Sequence, residues 1–209
     1  MLVAMAAASV SDKGDMEYSS TKSTYDSDAH LYAKAYYGLT FWKAEYRTFL
    51  GLLGSSGRII DVGCGPGRDT EYFTKLGYDT EGIDYSAPML SEAKRLAPGC
   101  KFTRMDMRSI KFPHGSFDAA WSCMSILHIK KADAGAVLDG ICKVLKPGGV
   151  LFISVKNGSG EHFDKRLFSN YREPELRGLV GRHGFRVEMS YLNKKDPRQR
   201  IVCIFARKA

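Results

Sequence analysis

Arg58-Ile59-Ile60-Asp61-Val62-Gly63-Cys64-Gly65-Pro66-Gly67-Arg68-Asp69 is the stretch on which the reading of the fold turns. Ile59, Ile60 and Val62 make a short apolar run that reads as a buried strand, and glycines follow at 63, 65 and 67. From Thr70 to Leu76, polar and apolar residues then alternate at a helical period. Strand, glycine turn and helix form the first half of a βα unit of the nucleotide-binding kind. Glycine is needed where the turn is tight and its backbone must come within contact of a ligand. Amides at the helix start would favour an anionic or polar group there.

The dinucleotide fingerprint G-x-G-x-x-G would require glycine at 63, 65 and 68, and position 68 is Arg. The sequence instead reads Asp61-x-Gly63-x-Gly65-x-Gly67, with an acid two residues before the first glycine. This pattern resembles the first motif of the class I S-adenosylmethionine-dependent methyltransferases. The resemblance implies that Asp61 and the backbone of Gly63, Cys64, Gly65 and Gly67, with Arg68 beside them, hold the methionine end of that cofactor.

Working outward, Gly77 to Asp84 reads as a turn and a second strand ending in an acid, and Asp84 stands 21 residues after Gly63. A carboxylate at that place can accept hydrogen bonds from both ribose hydroxyls. The helix from Ser86 to Leu96 already has its own cap in Ser86, with Pro88 in the first turn, so Asp84 is free for a ligand. Tyr85 and Met89 would then pack on the adenine. Phe102 to Met107 is a short third strand running into a loop, where Asp106 is placed for the adenine amino group and Met107 for the ring edge.

Phe117 to Ser122 reads as the fourth strand, which puts Ser122 and Cys123 at its carboxyl end, where open α/β sheets bind ligands. His128 lies just beyond. A histidine there can take a proton from an attacking hydroxyl or amine, or simply pack before the next helix. Asp133 to Leu145 is a helix stopped by Lys146-Pro147-Gly148-Gly149, and Val150 to Val155 is the fifth strand. Glu173 to Arg182 is the last helix. Phe185–Leu192 and Ile201–Ala206 are two closing strands joined by a charged turn over 193–197, hence antiparallel.

The segment Tyr25 to Leu53 carries eight aromatic residues, many at i, i+4 spacing, as in amphipathic helices. It reads either as packing or as a lid over the site, and its Tyr25-Asp26-x-x-Ala29-x-x-Tyr32 start is similar to methyltransferase segments that do both. Candidate acceptor contacts are Tyr25 and Tyr37 in that segment, and Lys156, Arg166 and Tyr171 in the aperiodic stretch after the fifth strand.

Together the resemblance spans about residues 25–206. It implies a Rossmann-like, doubly wound α/β sheet of seven strands, mostly parallel with an antiparallel last strand. It also implies S-adenosylmethionine as cofactor, with S-adenosylhomocysteine as product. The expected organisation is a disordered arm over 1–24 and a single domain over 25–209, its helical lid at about 25–53.

Bulk composition sets the remaining expectations. The 209 residues are 44% hydrophobic, enough for one core, and no apolar run approaches the roughly 18 residues that span a bilayer. Five scattered cysteines without a C-x-x-C pair give neither a zinc site nor a disulfide framework, which suggests a cytoplasmic protein and no metal. The net charge of +8 is uneven: residues 1–100 sum to −3 and residues 101–209 to +11. The basic half suits either a solvated face or a nucleic-acid partner. The expected acceptor is a small molecule methylated on oxygen or nitrogen. RNA is the second reading, and a silent cofactor-binding protein the third.

Overall fold

The computed structural model describes residues 10–39, 41–194 and 200–209. The chain order is α1 (Val10–Tyr36), α2 (Lys43–Leu53), β1 (Arg58–Val62), α3 (Arg68–Lys75), β2 (Asp79–Asp84), α4 (Ala87–Leu96), β3 (Lys101–Arg104) and β4 (Phe117–Cys123). Then follow α5 (Lys131–Val144), β5 (Leu145–Lys156), β6 (Glu161–Asp164), β7 (Arg166–Ser169), α6 (Glu173–Arg182), β8 (Phe185–Asn193) and β9 (Ile201–Lys208).

Seven strands form one sheet in the order β3-β2-β1-β4-β5-β9-β8. β1 to β5 pair in parallel, and β9 runs antiparallel to both β5 and β8. This is the expected seven-stranded doubly wound sheet with a reversed last strand. Its order reverses at β1, between β2 and β4, and such a switch point opens a crevice at the carboxyl ends of the strands.

Alternation along β1 divides the core. Ile60 and Val62 belong to the buried cluster that also holds Val137 and Ile141 of α5 and Leu176 of α6, while Ile59 belongs to the opposite layer with Phe49 and Phe73. In that second layer Trp121 stacks on Phe152 at 3.9 Å between ring centroids. With helices on both sides, the central strands are buried on both faces, which is why they read as unbroken apolar runs. Ser86 caps α4 as expected, its Oγ accepting from the Met89 backbone N–H at 3.2 Å.

Three features depart from the expectations. The polar stretch expected as a mobile arm is helical from Val10, and residues 1–9 lie outside the described residues. Three long-range polar contacts help to hold this helix: Leu167 N–H donates to Thr21 Oγ1 at 2.8 Å, Thr24 Oγ1 to the Lys165 carbonyl at 2.8 Å, and Ser86 Oγ to Asp26 Oδ1 at 2.6 Å. Hydrophobic periodicity cannot announce contacts of that kind. The segment 25–53 also divides, since α1 lies over the crevice while Tyr46 and Phe49 of α2 are core. Finally, β6 and β7 form a separate hairpin in the stretch without period. Of the expected charged turn, residues 195–197 fall outside the described residues. Among the described residues no helix is long and apolar enough to cross a membrane.

Candidate active site

Two chambers open at the carboxyl edge of the sheet beneath α1. The inner one is lined by the glycine turn, the end of β2 and the loops after β3 and β4. The outer one lies between α1, Trp42, the end of β5 and β7. Tyr25, Tyr32, Arg68, Cys123, Met124 and His128 line both, so the chambers share a seam.

The glycine turn is built by close approach. Gly63 has φ +75°, and a Cβ there would come within 2.4 Å of Ser125 Cβ. Gly65 has φ +53° and open space where its Cβ would stand, and it lines the inner chamber. The space that Gly65 leaves is therefore room for a ligand. Gly63 and Cys64 N–H both donate to the Ile83 carbonyl at 2.9 Å, and Gly65 N–H donates to Asp84 Oδ2 at 2.9 Å. Asp84 Oδ1 accepts from Ser86 N–H, also at 2.9 Å. Burial pushes the Asp84 carboxyl up, and these backbone donors offset part of that. Each oxygen keeps a lone pair for a further donor.

Beside Asp84 stands an apolar slot. Tyr18 and Tyr85 face each other with centroids 5.4 Å apart, and Met89, Met105 and Met107 also line the chamber. Rings over methionines suit a flat nucleobase.

Arg68 anchors the seam. Its Nε and Nη2 donate to the two oxygens of Asp69 at 2.5 and 2.9 Å. Tyr46 hydroxyl and Trp121 Nε1 also donate to Asp69, at 2.5 and 2.8 Å. Burial alone would raise the Asp69 carboxyl, but the guanidinium and these donors hold it below the usual range.

His128 is held from both sides. Its Nδ1 is 2.7 Å from the Leu167 carbonyl, which can only accept, so Nδ1 carries the proton and Nε2 accepts from the Tyr25 hydroxyl at 2.7 Å. Arg166 Nη1 donates to the same hydroxyl at 3.0 Å. Burial drives His128 down to about 4, the Leu167 contact opposing and the Arg166 and Lys156 charges adding. Met124, next in the wall, has φ 53° and donates its N–H to Ser154. A left-handed non-glycine residue is strain of about 1–2 kcal/mol held in place by its surroundings.

The structure therefore gathers Gly63, Cys64, Gly65, Arg68, Asp84, Tyr85, Met89 and Met107 around the inner chamber. Tyr25 and His128 stand at the seam, and Lys156 and Arg166 in the outer chamber. Other expected residues are placed elsewhere. Asp61 is buried and accepts from Thr70 Oγ1 at 2.6 Å, and Gly67 precedes α3 without lining the chamber. Ser122 is fully buried against Ser125 Oγ at 2.8 Å. Asp106 stands outside the lining because Arg108 folds back on it, with Nη2 to Oδ2 at 2.8 Å, and Tyr18 hydroxyl donates to Oδ1 at 3.1 Å. Tyr37 follows Tyr36 by one residue, so it leaves the chamber-facing side and sits beside Glu71. Tyr171 is a core residue with Lys131 Nζ 4.5 Å from its ring.

Site residues that the sequence reading missed are mainly on α1 and the β4 exit: Tyr18, Thr21, Lys22 and Tyr32, then Met124 and Ser125. The signal was present in the spacing. Tyr18, Tyr25 and Tyr32 recur every seven residues, which places them on one helix face.

A switch-point crevice with an acid-and-glycine turn and a second-strand carboxylate is the arrangement of a class I methyltransferase domain. Residues 59–149 match the family model described as "Methyltransferase domain". Malonyl-[acyl-carrier protein] O-methyltransferase of Buchnera aphidicola is 28% identical over 152 residues, covering 71% of this chain and 59% of that protein. 2-Methyl-6-phytyl-1,4-hydroquinone methyltransferase of Synechocystis is 32% identical over 127 residues, 58% of this chain and 38% of that protein. The chain thus spans about half the length of the curated relatives it matches. A crystal structure of 1,6-didemethyltoxoflavin-N1-methyltransferase from Burkholderia thailandensis, with bound 1,6-didemethyltoxoflavin and S-adenosylhomocysteine, superposes with a TM-score of 0.80. It is 22% identical, over 100% of this chain and 93% of that one.

Over residues 59–149 and in its fold the chain is similar to the S-adenosylmethionine-dependent methyltransferases of class I. The family's cofactor fits the inner chamber on three counts: the open space at Gly65, the Asp84 carboxylate and the tyrosine–methionine slot.

Proposed function

We propose that the protein transfers a methyl group from S-adenosylmethionine to an oxygen or nitrogen of a small molecule seated in the outer chamber. The observation that carries this reading is the shared seam, where two ligands of different chemistry would meet across Tyr25, Arg68, Met124 and His128. A hydroquinone in the name of the Synechocystis relative supports a small acceptor. When bound, the cofactor supplies a methyl made electrophilic by its sulfonium.

The chain's own part is binding, alignment and exclusion of water. Asp84 would accept from the ribose hydroxyls, and the Tyr18–Tyr85 pair with Met89, Met105 and Met107 would hold the adenine. Gly65 gives the methionine end its room and Arg68 its counter-charge. Holding a nucleophile in line with a fixed methyl yields most of the acceleration in such reactions. The hydrogen-bonded line Arg166–Tyr25–His128 adds a route for a proton. Tyr25 is fixed at the seam by these two partners, and His128 Nε2, lowered to about 4 by burial, is only a weak acceptor for a proton passed through that hydroxyl.

Calorimetric titration with S-adenosylhomocysteine tests the cofactor half, and transfer of labelled methyl to an acceptor panel tests the other. Binding of a nicotinamide cofactor in place of S-adenosylhomocysteine would overturn the reading. Labelling of tRNA with no labelling of small molecules would replace the acceptor class.

A further inference from the structure

The outer chamber carries a charge imbalance. Lys156 and Arg166 line it, and among the described residues no carboxylate does. The third cation, Arg68, is already matched by Asp69. Lys156 Nζ lies 4.0 Å from the Phe168 ring centroid, and the Arg166 guanidinium is 5.2 Å from the same centroid and 5.0 Å from that of Tyr25. Two like charges flanking one ring repel each other, and burial with the Arg166 charge pushes the Lys156 ammonium down. Such a pair costs free energy until an anion sits between the two cations. The rest of the wall is flat and apolar: Tyr32, Phe41, Trp42, Leu127 and Phe168.

Resting on the methyl-transfer reading, we infer that the outer chamber selects an aromatic acceptor bearing a carboxylate, and that Lys156 and Arg166 hold the carboxylate while the aromatic wall takes the ring. Arg166 sits on β7, and β7 is tied to α1 by the Leu167–Thr21 and Lys165–Thr24 hydrogen bonds. The hairpin and the covering helix thus present the binding cation as one unit. Arg166 also donates to Tyr25, so an acceptor carboxylate on Arg166 would sit next to the seam residue that meets the cofactor side.

The test compares salicylate and anthranilate with their amides, which share shape and lack the charge, in direct binding with and without S-adenosylhomocysteine. The acids should bind about tenfold tighter than the amides, as expected for a charge-assisted contact. Lys156→Gln and Arg166→Gln together should erase that ratio while the affinity for S-adenosylhomocysteine stays within about threefold. Equal binding of acids and amides, a ratio that survives the double substitution, or no uptake of either acid at millimolar concentration would each overturn the inference. Failure to bind S-adenosylhomocysteine would remove the methyl-transfer reading instead, and the acid-to-amide ratio on the protein alone would still decide the carboxylate site.

Discussion

Gly65 donates its backbone N–H to Asp84 Oδ2 at 2.9 Å, which joins the turn after β1 to the end of β2. The carboxylate is therefore aimed before any ligand arrives. A side chain fixed by two backbone donors loses little entropy on binding, and this is preorganisation in the physical sense.

Replacing Asp84 by Ala should weaken S-adenosylhomocysteine binding about 10- to 100-fold, the worth of hydrogen bonds to a charged group. Asp79, at the other end of β2 and paired with Lys101 at 2.6 Å, serves as the comparison. Asp79→Ala should change binding less than about twofold, as expected for an exposed ion pair. Calorimetry on the two variants decides, and equal losses would remove the ribose assignment.

The two glycines of the turn should fail in different ways. Gly63→Ala drives a methyl into Ser125 and should leave little folded protein, visible as lost near-ultraviolet dichroism. Gly65→Ala meets no neighbour and costs about 1–2 kcal/mol of backbone strain. It should fold and yet lose cofactor affinity, because its methyl occupies the ligand's room. Normal affinity in Gly65→Ala would show that the ligand does not approach there.

His128 gives a pH signature. Its folded value is lowered from 6.5 to about 4, chiefly by burial, so the folded chain refuses a proton that the unfolded chain accepts. Stability on this account is full above 6.5 and falls as pH drops from 6.5 towards 4. Urea denaturation across that window should show a shallower slope for His128→Asn than for the native protein. Identical slopes would mean that the histidine titrates normally.

The Asp69 carboxylate has four donors, two from Arg68 and one each from Tyr46 and Trp121, and is 5% exposed. Asp69→Asn leaves the guanidinium without its counter-charge and should destabilise by about 3–5 kcal/mol. Asp28→Asn, at an exposed position on α1, should stay within about 0.5 kcal/mol. Thermal unfolding of the pair reads the difference.

Much of the sheet was legible because its signals are local. The apolar run at 59–62, the acid at 84 and the Pro-Gly-Gly entry to β5 each state their geometry in a few residues. The helix from Val10 was not legible, because Thr21, Thr24 and Asp26 help to hold it through hydrogen bonds to partners 60 or more positions away. Asp106 shows the reverse failure. It was read from its place in the motif order, and the sequence gives no hint that Arg108 would fold back and occupy its carboxylate. Tyr171 was misassigned because an aromatic residue in an aperiodic stretch can point into the core as readily as into a cleft.

Tyr18, Tyr25 and Tyr32 descend from a single helix onto both chambers. On the methyl-transfer reading, donor and acceptor would lie under one helix, so that exchange of either would involve the same cover. Escape of the spent nucleoside, rather than methyl passage, is then expected to set the pace. The trace of such a cover is a burst of methylated product in the first turnover followed by a slower steady rate.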